Sequence, residues 1–496
     1  SIMIGDDATG TIDAANYNTG LGVDIFTALT SGDSNTAVGY LALEDLTTGN
    51  NNVAIGKDSL RTNTTGTGNV SVGVNALEDA TTADDNTAIG NAALLNTTTG
   101  HSNTVVGSNA AKTNTEGRNN VAVGYYSMED NTTGKNNVAV GHDSLKNNTT
   151  ADDNVAVGKD ALNLNTTGHS NTGIGSEALG ANTTGDKNTA VGIDALKSNT
   201  TASNNTAFGA YTLDANTTGD RNVAIGWAAL SDNVAGDRST AVGFAALQTQ
   251  NPSSNADMYN TAVGYNAGNA ITTGTVNTLV GGLCGDAITT GDSNVGVGYL
   301  ALSSNTTASN NTAIGAAAMN VNTTGYDNVA VGRASLDANT TGYANVSIGE
   351  SSLTSNTTGY RNTAIGQNSM AACTTGLENT AVGQNSLNDL TTANYNVAVG
   401  QNALAACTTG AGNVGIGINA LDAVTTQGGN TVIGYNAASA LVTTGVTAIG
   451  YQAMISSTTG YDTVAIGQSA LTSNTTGNQN VAVGFNAMYS NTTGND

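Results

Sequence analysis

A chain of 496 residues would ordinarily divide into three or four globular domains. Its formal charge of −24 excludes nucleic acid and anionic membrane surfaces as natural partners, since both are bound through Lys and Arg, of which there are 13 against 37 acids. The chain has 63 Gly, one Pro and 10% charged residues; its Leu, Ile, Val and Phe are few for a globular protein, which alone would suggest disorder, and no run approaches the ~18 apolar residues of a membrane-spanning helix.

Disorder fails because the apolar residues are held in register. The stretch Asn35-Thr36-Ala37-Val38-Gly39 recurs with its glycine at 5, 22, 39 and every seventeenth residue to Gly243. The glycines resume at Gly264, run to Gly434, and follow at Gly450, Gly467 and Gly484, which makes 29 copies. A fixed period of this size marks a solenoid, so residues 1–496 read as one repeat domain of about 29 coils. Ser1 opens a unit and Asp496 closes one, with no atypical capping repeat at either end, so the chain reads as a segment of a longer protein.

With each central glycine numbered zero, the unit carries Asn at −4, Thr or Val at −3, a small residue at −2 and Val or Ile at −1. Ala or Ser follows at +3, Leu or Met at +4, and Asn-Thr-Thr-Gly at +7 to +10. β-Branched residues and glycine are poor helix material, and Thr/Val, Ala and Val/Ile in succession read as a short strand. Asn-Thr-Thr-Gly reads as a turn in which the glycine supplies positive φ. Stacking at strand spacing would place equivalent positions about 4.8 Å apart and give a rod on the order of 140 Å. The −4 asparagines then form an amide ladder. Val or Ile at −1 and Leu at +4 are expected to build the interior column, leaving −2 outside. Because −2 carries Ala rather than Lys or Glu (Ala37, Ala54, Ala88, Ala122), that face reads as covered by another copy of the chain.

Irregularities fall in chain order. Units 1–34 are degenerate, with Asp6-Asp7-Ala8-Thr9 in place of the usual run. An insertion near 248–259, holding the single proline Pro252, reads as a loop bulging from one face. The coil at 435–450 is one residue short, and Val446 replaces the ladder asparagine there. Both places are expected to carry a local defect.

Candidate chemistry is sparse. Cys373 and Cys407 share position +7 two coils apart, beyond disulfide reach, and with Cys284 read as small buried hydrophobes. His101, His142 and His169 lie on separate coils and read as surface residues with no metal-ligand spacing around them. The pairs Asp84-Asp85 and Asp152-Asp153 fall in the outer turn without the glycine-aspartate nonapeptide of calcium-binding β-rolls. No GxSxG, HExxH or P-loop is present, so no catalytic, metal or cofactor residue is expected. Tyr326, Tyr343 and Tyr360 occupy +11 in three consecutive coils and form the one candidate ligand surface, a tyrosine edge suited to flat sugar rings.

The motif Asn-Thr-Ala-Val-Gly-Tyr-x-Ala-Leu-x-x-Asn-Thr-Thr-Gly resembles the head repeats of YadA-type trimeric autotransporter adhesins, whose units read S-V-A-I-G-x-x-A. It is closer to repeat arrays of phage tail-fibre proteins, which often precede a self-cleaving chaperone domain. The resemblance covers the whole chain. It implies an all-β, parallel β-solenoid, a left-handed β-roll, intertwined or packed as a homotrimer. It further implies an extracellular place on a virion or cell surface and a part in attachment to a host glycan or receptor; the missing catalytic motifs separately read as no enzyme. The expectation is a phage tail-fibre shaft, with a bacterial cell-surface adhesin or filament second and a carbohydrate-binding solenoid third. A chaperone domain after the repeats would favour the first, and a membrane-anchor barrel the second.

Overall fold

The computed structural model describes residues 2–4 and 14–495. Among them the chain is all-β and without helix, a parallel β-solenoid in which every central glycine is preceded by a three-residue strand. The contacts divide it into two compact units, residues 1–245 with 251–257, and residues 246–250 with 258–496. Fifteen such strands, from Ile2–Ile4 to Thr240–Val242, lie in the first unit, and fourteen, from Thr261–Val263 to Val481–Val483, in the second. Within each unit every coil pairs in parallel with the next at a shift of one repeat, as Thr36, Ala37 and Val38 do with Val53, Ala54 and Ile55. The degenerate run Asp6–Thr9 lies outside the described residues.

Three residues per coil are too few for a stable sheet alone, and the rest of each coil is laddered as well. Leu43, Asp45 and Thr47 donate their N–H groups to the carbonyls of Ser59, Arg61 and Thr64 at 3.1, 3.0 and 2.9 Å. Nearly the whole coil thus finds its backbone partners one repeat away, as a buried backbone requires. The corners are turned by left-handed residues at +2, +4 and +12, for example Asp58, Leu60 and Asn51, with φ of 55°, 52° and 59°. Asn and Asp tolerate that region, whereas a leucine there is an outlier that only packing holds. In the regular coils the Thr-Thr-Gly glycine is therefore not the positive-φ residue that the sequence reading expected, whereas Gly445 in the short coil is, at 74°. Gly49 is required for space, since a Cβ on it would lie 2.3 Å from the Gly66 carbonyl oxygen.

The two strand faces are the reverse of the sequence expectation. The central residue at −2 points inward and is fully buried, as at Ala37, Ala54, Ala88 and Ala122. Leu at +4 and Ala or Ser at +3 complete the core, with Leu43, Leu60, Leu77 and Leu94 wholly buried. The −3 and −1 residues flank −2 on the outside. The interior is narrow, and volume decides the matter. A Cβ on Gly173 would stand 3.3 Å from Leu162 Cγ, so −2 and +4 share one space. Where −2 is large, +4 shrinks: Leu279 goes with Gly285, Val105 with Ala111, Val432 with Ala438.

Two amide ladders run through the core. Asn52 N–H and Nδ2 both donate to Asn35 Oδ1, at 2.9 and 3.2 Å, and Nδ2 also donates to the Gly66 carbonyl at 2.8 Å. The +7 asparagines form a second ladder, with Asn131 Nδ2 on Asn114 Oδ1 at 2.7 Å and Asn148 Nδ2 on Asn131 Oδ1 at 2.8 Å. Those residues were expected in a turn and are instead fully buried.

Both expected defects are milder than a break. The insertion is pinned: Gly236–Asp237 pairs with Ala256–Asp257, Arg238 forms an ion pair with Asp257, and Pro252 is buried while 253–255 are exposed. At the short coil the backbone ladder continues, with Thr431 N–H on Val446 O and Thr447 N–H on Thr463 O, both at 2.8 Å. Only the side-chain ladder is interrupted, because Val446 has no amide to offer.

Candidate functional surfaces

The strand alternation that buries −2 leaves −3 and −1 facing out. Every one of the 29 strands carries Thr, Val or Ile at −3 and an aliphatic residue or Phe208 at −1, and none carries a charge at either position. Ile55, Ile89, Ile225, Ile314 and Ile348 are about 40% exposed, and Phe208 57%. Each unit therefore presents a row of uncharged side chains in register, with an apolar −1 column that is unusually long for a surface beside Thr, Val or Ile at −3.

Tyr326, Tyr343 and Tyr360 stand where the sequence places them, in a half-exposed column with ring centroids 5.1 and 4.8 Å apart and planes within 5°. Their faces are turned on one another, and the Arg361 guanidinium lies 5.7 Å from the Tyr360 ring centre. Both faces of Tyr343 are thus occupied, and it offers solvent only its edge and hydroxyl.

The structure brings together one group that sequence spacing did not show. His142, Asp143 and Asp160 place ligating atoms within 4.8 Å of one another. His142 and Asp160 are eighteen residues apart and become neighbours only by stacking. Cations already serve the carboxylates: Lys146 Nζ lies 3.4 Å from Asp143 Oδ1 and Lys159 Nζ 3.1 Å from Asp160 Oδ2, while His142 Nδ1 meets Asp143 Oδ2 at 3.0 Å. Lys146 Nζ also lies 3.8 Å from Glu129 Oε2, so the cluster is part of an ion-pair network.

The three cysteines are buried and unpaired, and burial pushes their thiols up, Cys284 to about 12 and Cys373 and Cys407 to about 11. They are chemically quiet.

A polar cleft of about 240 Å³ lies between columns +9 and +11, lined by Thr99, His101, Glu116, Arg118, Thr133 and Lys135. His101, Arg118 and Lys135 hold +11 on three consecutive coils, with Asp84 before them and Asp152 after. Where the next coil carries an aspartate in this column, it caps the N–H of the preceding coil: Asp84 Oδ1 accepts from Thr67 N–H, Asp152 Oδ1 from Lys135 N–H and Asp186 Oδ1 from His169 N–H, each at 2.7 Å. The residue types were visible in the sequence, but their alignment follows from the fold.

No protein-family model matches the chain, and no curated protein is similar to it.

Proposed function

We propose that the chain is a structural and adhesive shaft segment of an extracellular fibre, of the kind that forms phage tail fibres, and that it works as a homotrimer. The observation that carries this reading is the uncharged strip at −3 and −1, aliphatic at −1 but for Phe208 and Thr, Val or Ile at −3. At about 60 Å² for each exposed residue, the −1 column of one unit offers on the order of 800 Å², the per-partner area of a stable interface. A strip so regular is matched best by another copy of itself, since identical repeats present identical spacing. The partner thus covers the −3/−1 face, and the small residues at −2 serve the interior instead. Covered in this way, a stack laddered coil to coil would be stiff and resistant to proteases, as a shaft requires, and attachment to a host glycan or receptor would fall to the surfaces left open. The same reading holds for a bacterial surface adhesin, the second expectation.

The test is the mass in solution by sedimentation or light scattering. A trimer would have about three times the 49.2 kDa chain mass. Ile314→Lys combined with Ile348→Lys, on the exposed strip, is expected to shift the species toward monomer while keeping a β spectrum. A wild-type chain that stays monomeric at every concentration refutes the proposal.

A further inference from the structure

We propose that the cleft at His101, Arg118 and Lys135 binds a carboxylate-bearing sugar. Three observations carry it.

The first is unspent positive charge. Eight of the thirteen Lys and Arg residues lie within 4.0 Å of a carboxylate. Among the described residues Arg118 and Lys135 have no such partner, although they stand in adjacent coils of a chain rich in acids. The second is a missing acceptor. In five coils followed by an aspartate, a carboxylate oxygen from the next coil sits 2.7 Å from the +11 N–H. Arg118 and Lys135 cannot accept hydrogen bonds, and among the described residues none is made to the N–H groups of His101 and Arg118. A ligand carboxylate in the cleft takes the place that aspartate fills elsewhere, with backbone N–H groups and a guanidinium to receive it. The third is the remainder of the lining. Thr99 and Thr133 offer hydroxyls and Glu116 a carboxylate acceptor, which give sugar hydroxyls partners that a bare inorganic anion cannot use.

The neighbours limit the ligand further. Asp84-Asp85 and Asp152-Asp153 close the strip at both ends. A polyanion lying along the column, such as nucleic acid, would meet them, so an acidic glycan must cross the column and present one residue to the cleft. This site lies apart from the −3/−1 face and stands whether or not the chain is trimeric.

The experiment is ligand-observed NMR on the intact chain with D-glucuronate, D-glucose and inorganic sulfate in parallel, solution mass being recorded on the same samples. Glucuronate should bind and weaken with added salt, and Arg118→Gln or Lys135→Gln should weaken it about tenfold or more, the loss expected for a charge-assisted contact. Both side chains are solvent-accessible, and circular dichroism confirms folding of each variant. Lys112→Gln, at position +5 outside the cleft, should change nothing. Equal binding of glucose, sulfate binding as tight as glucuronate, unchanged affinity in Arg118→Gln, or no glucuronate binding would each overturn the proposal.

Discussion

Removing one rung of the −4 ladder tests how the solenoid is held together. In Asn345→Ala four hydrogen bonds go: from Asn362 N–H and Nδ2 to Asn345 Oδ1, at 3.0 and 3.2 Å, and from Asn345 Nδ2 to the Gly359 carbonyl and Asn328 Oδ1, at 2.9 and 3.1 Å. Three of the groups left behind keep another partner. Gly359 O still accepts from Asn356 Nδ2, Asn362 Nδ2 still donates to Gly376 O, and Asn328 Oδ1 still accepts from Asn345 N–H. The Asn362 N–H alone is orphaned in a buried place, at a cost of about 1–3 kcal/mol, and the weakened contacts bring the total to about 3 kcal/mol. Because each coil touches only its neighbours, the loss should stay local. Hydrogen exchange read by mass spectrometry should show peptides spanning 345–362 exchanging about 100-fold faster, with peptides near 87–106 unchanged. The wild type holds an internal control. Val446 breaks the same ladder naturally, and among the described residues the buried Thr463 N–H makes no hydrogen bond, so that amide should exchange faster than that of Asn362. A change of less than about threefold at 345–362 would mean that the ladder contributes little, and loss of protection throughout the unit would refute the local picture.

Other consequences can be measured directly. Gly349→Ala should destabilise its region by more than about 3 kcal/mol, because φ is +133° and the new Cβ would lie 2.6 Å from the Gly366 carbonyl carbon. Gly412→Ala, with φ of +70° and open space, should cost only about 1 kcal/mol; similar losses in chemical denaturation would contradict the close-approach argument. Burial holds the carboxyls of Asp214, Asp286, Asp337 and Asp422 above their usual range. The folded state then binds more protons than the unfolded chain between about pH 4 and the raised values, so Tm should rise as pH falls through that window and level off below it; a Tm that falls there would refute the assignment. Finally, Cys284, Cys373 and Cys407 should resist thiol reagents until the chain is unfolded, and rapid labelling of the native protein would contradict their burial.

Period, strand position and stacking register were legible in the sequence because each is a one-dimensional property: a unit repeated every seventeen residues can pair with itself in only one register that keeps like on like. The −4 amide ladder and the Tyr326–Tyr343–Tyr360 column follow from that alone. Which strand face is interior was decided by the closed coil. Ala at −2 and Val or Ile at −1 are both apolar, so polarity gives no direction, whereas the space shared with Leu at +4 admits only a small partner. The exchange of Leu279 for Ala beside Gly285, repeated at Val105 with Ala111, was the sequence signal of that shared volume. The left-handed corners at +2 and +4 were hidden for a related reason, since leucine does not choose positive φ and only the packed core holds it there. The alignment of His101, Arg118 and Lys135 could be counted from the period, but the N–H groups left without an aspartate could not, because that vacancy arises between coils and exists only once they are stacked.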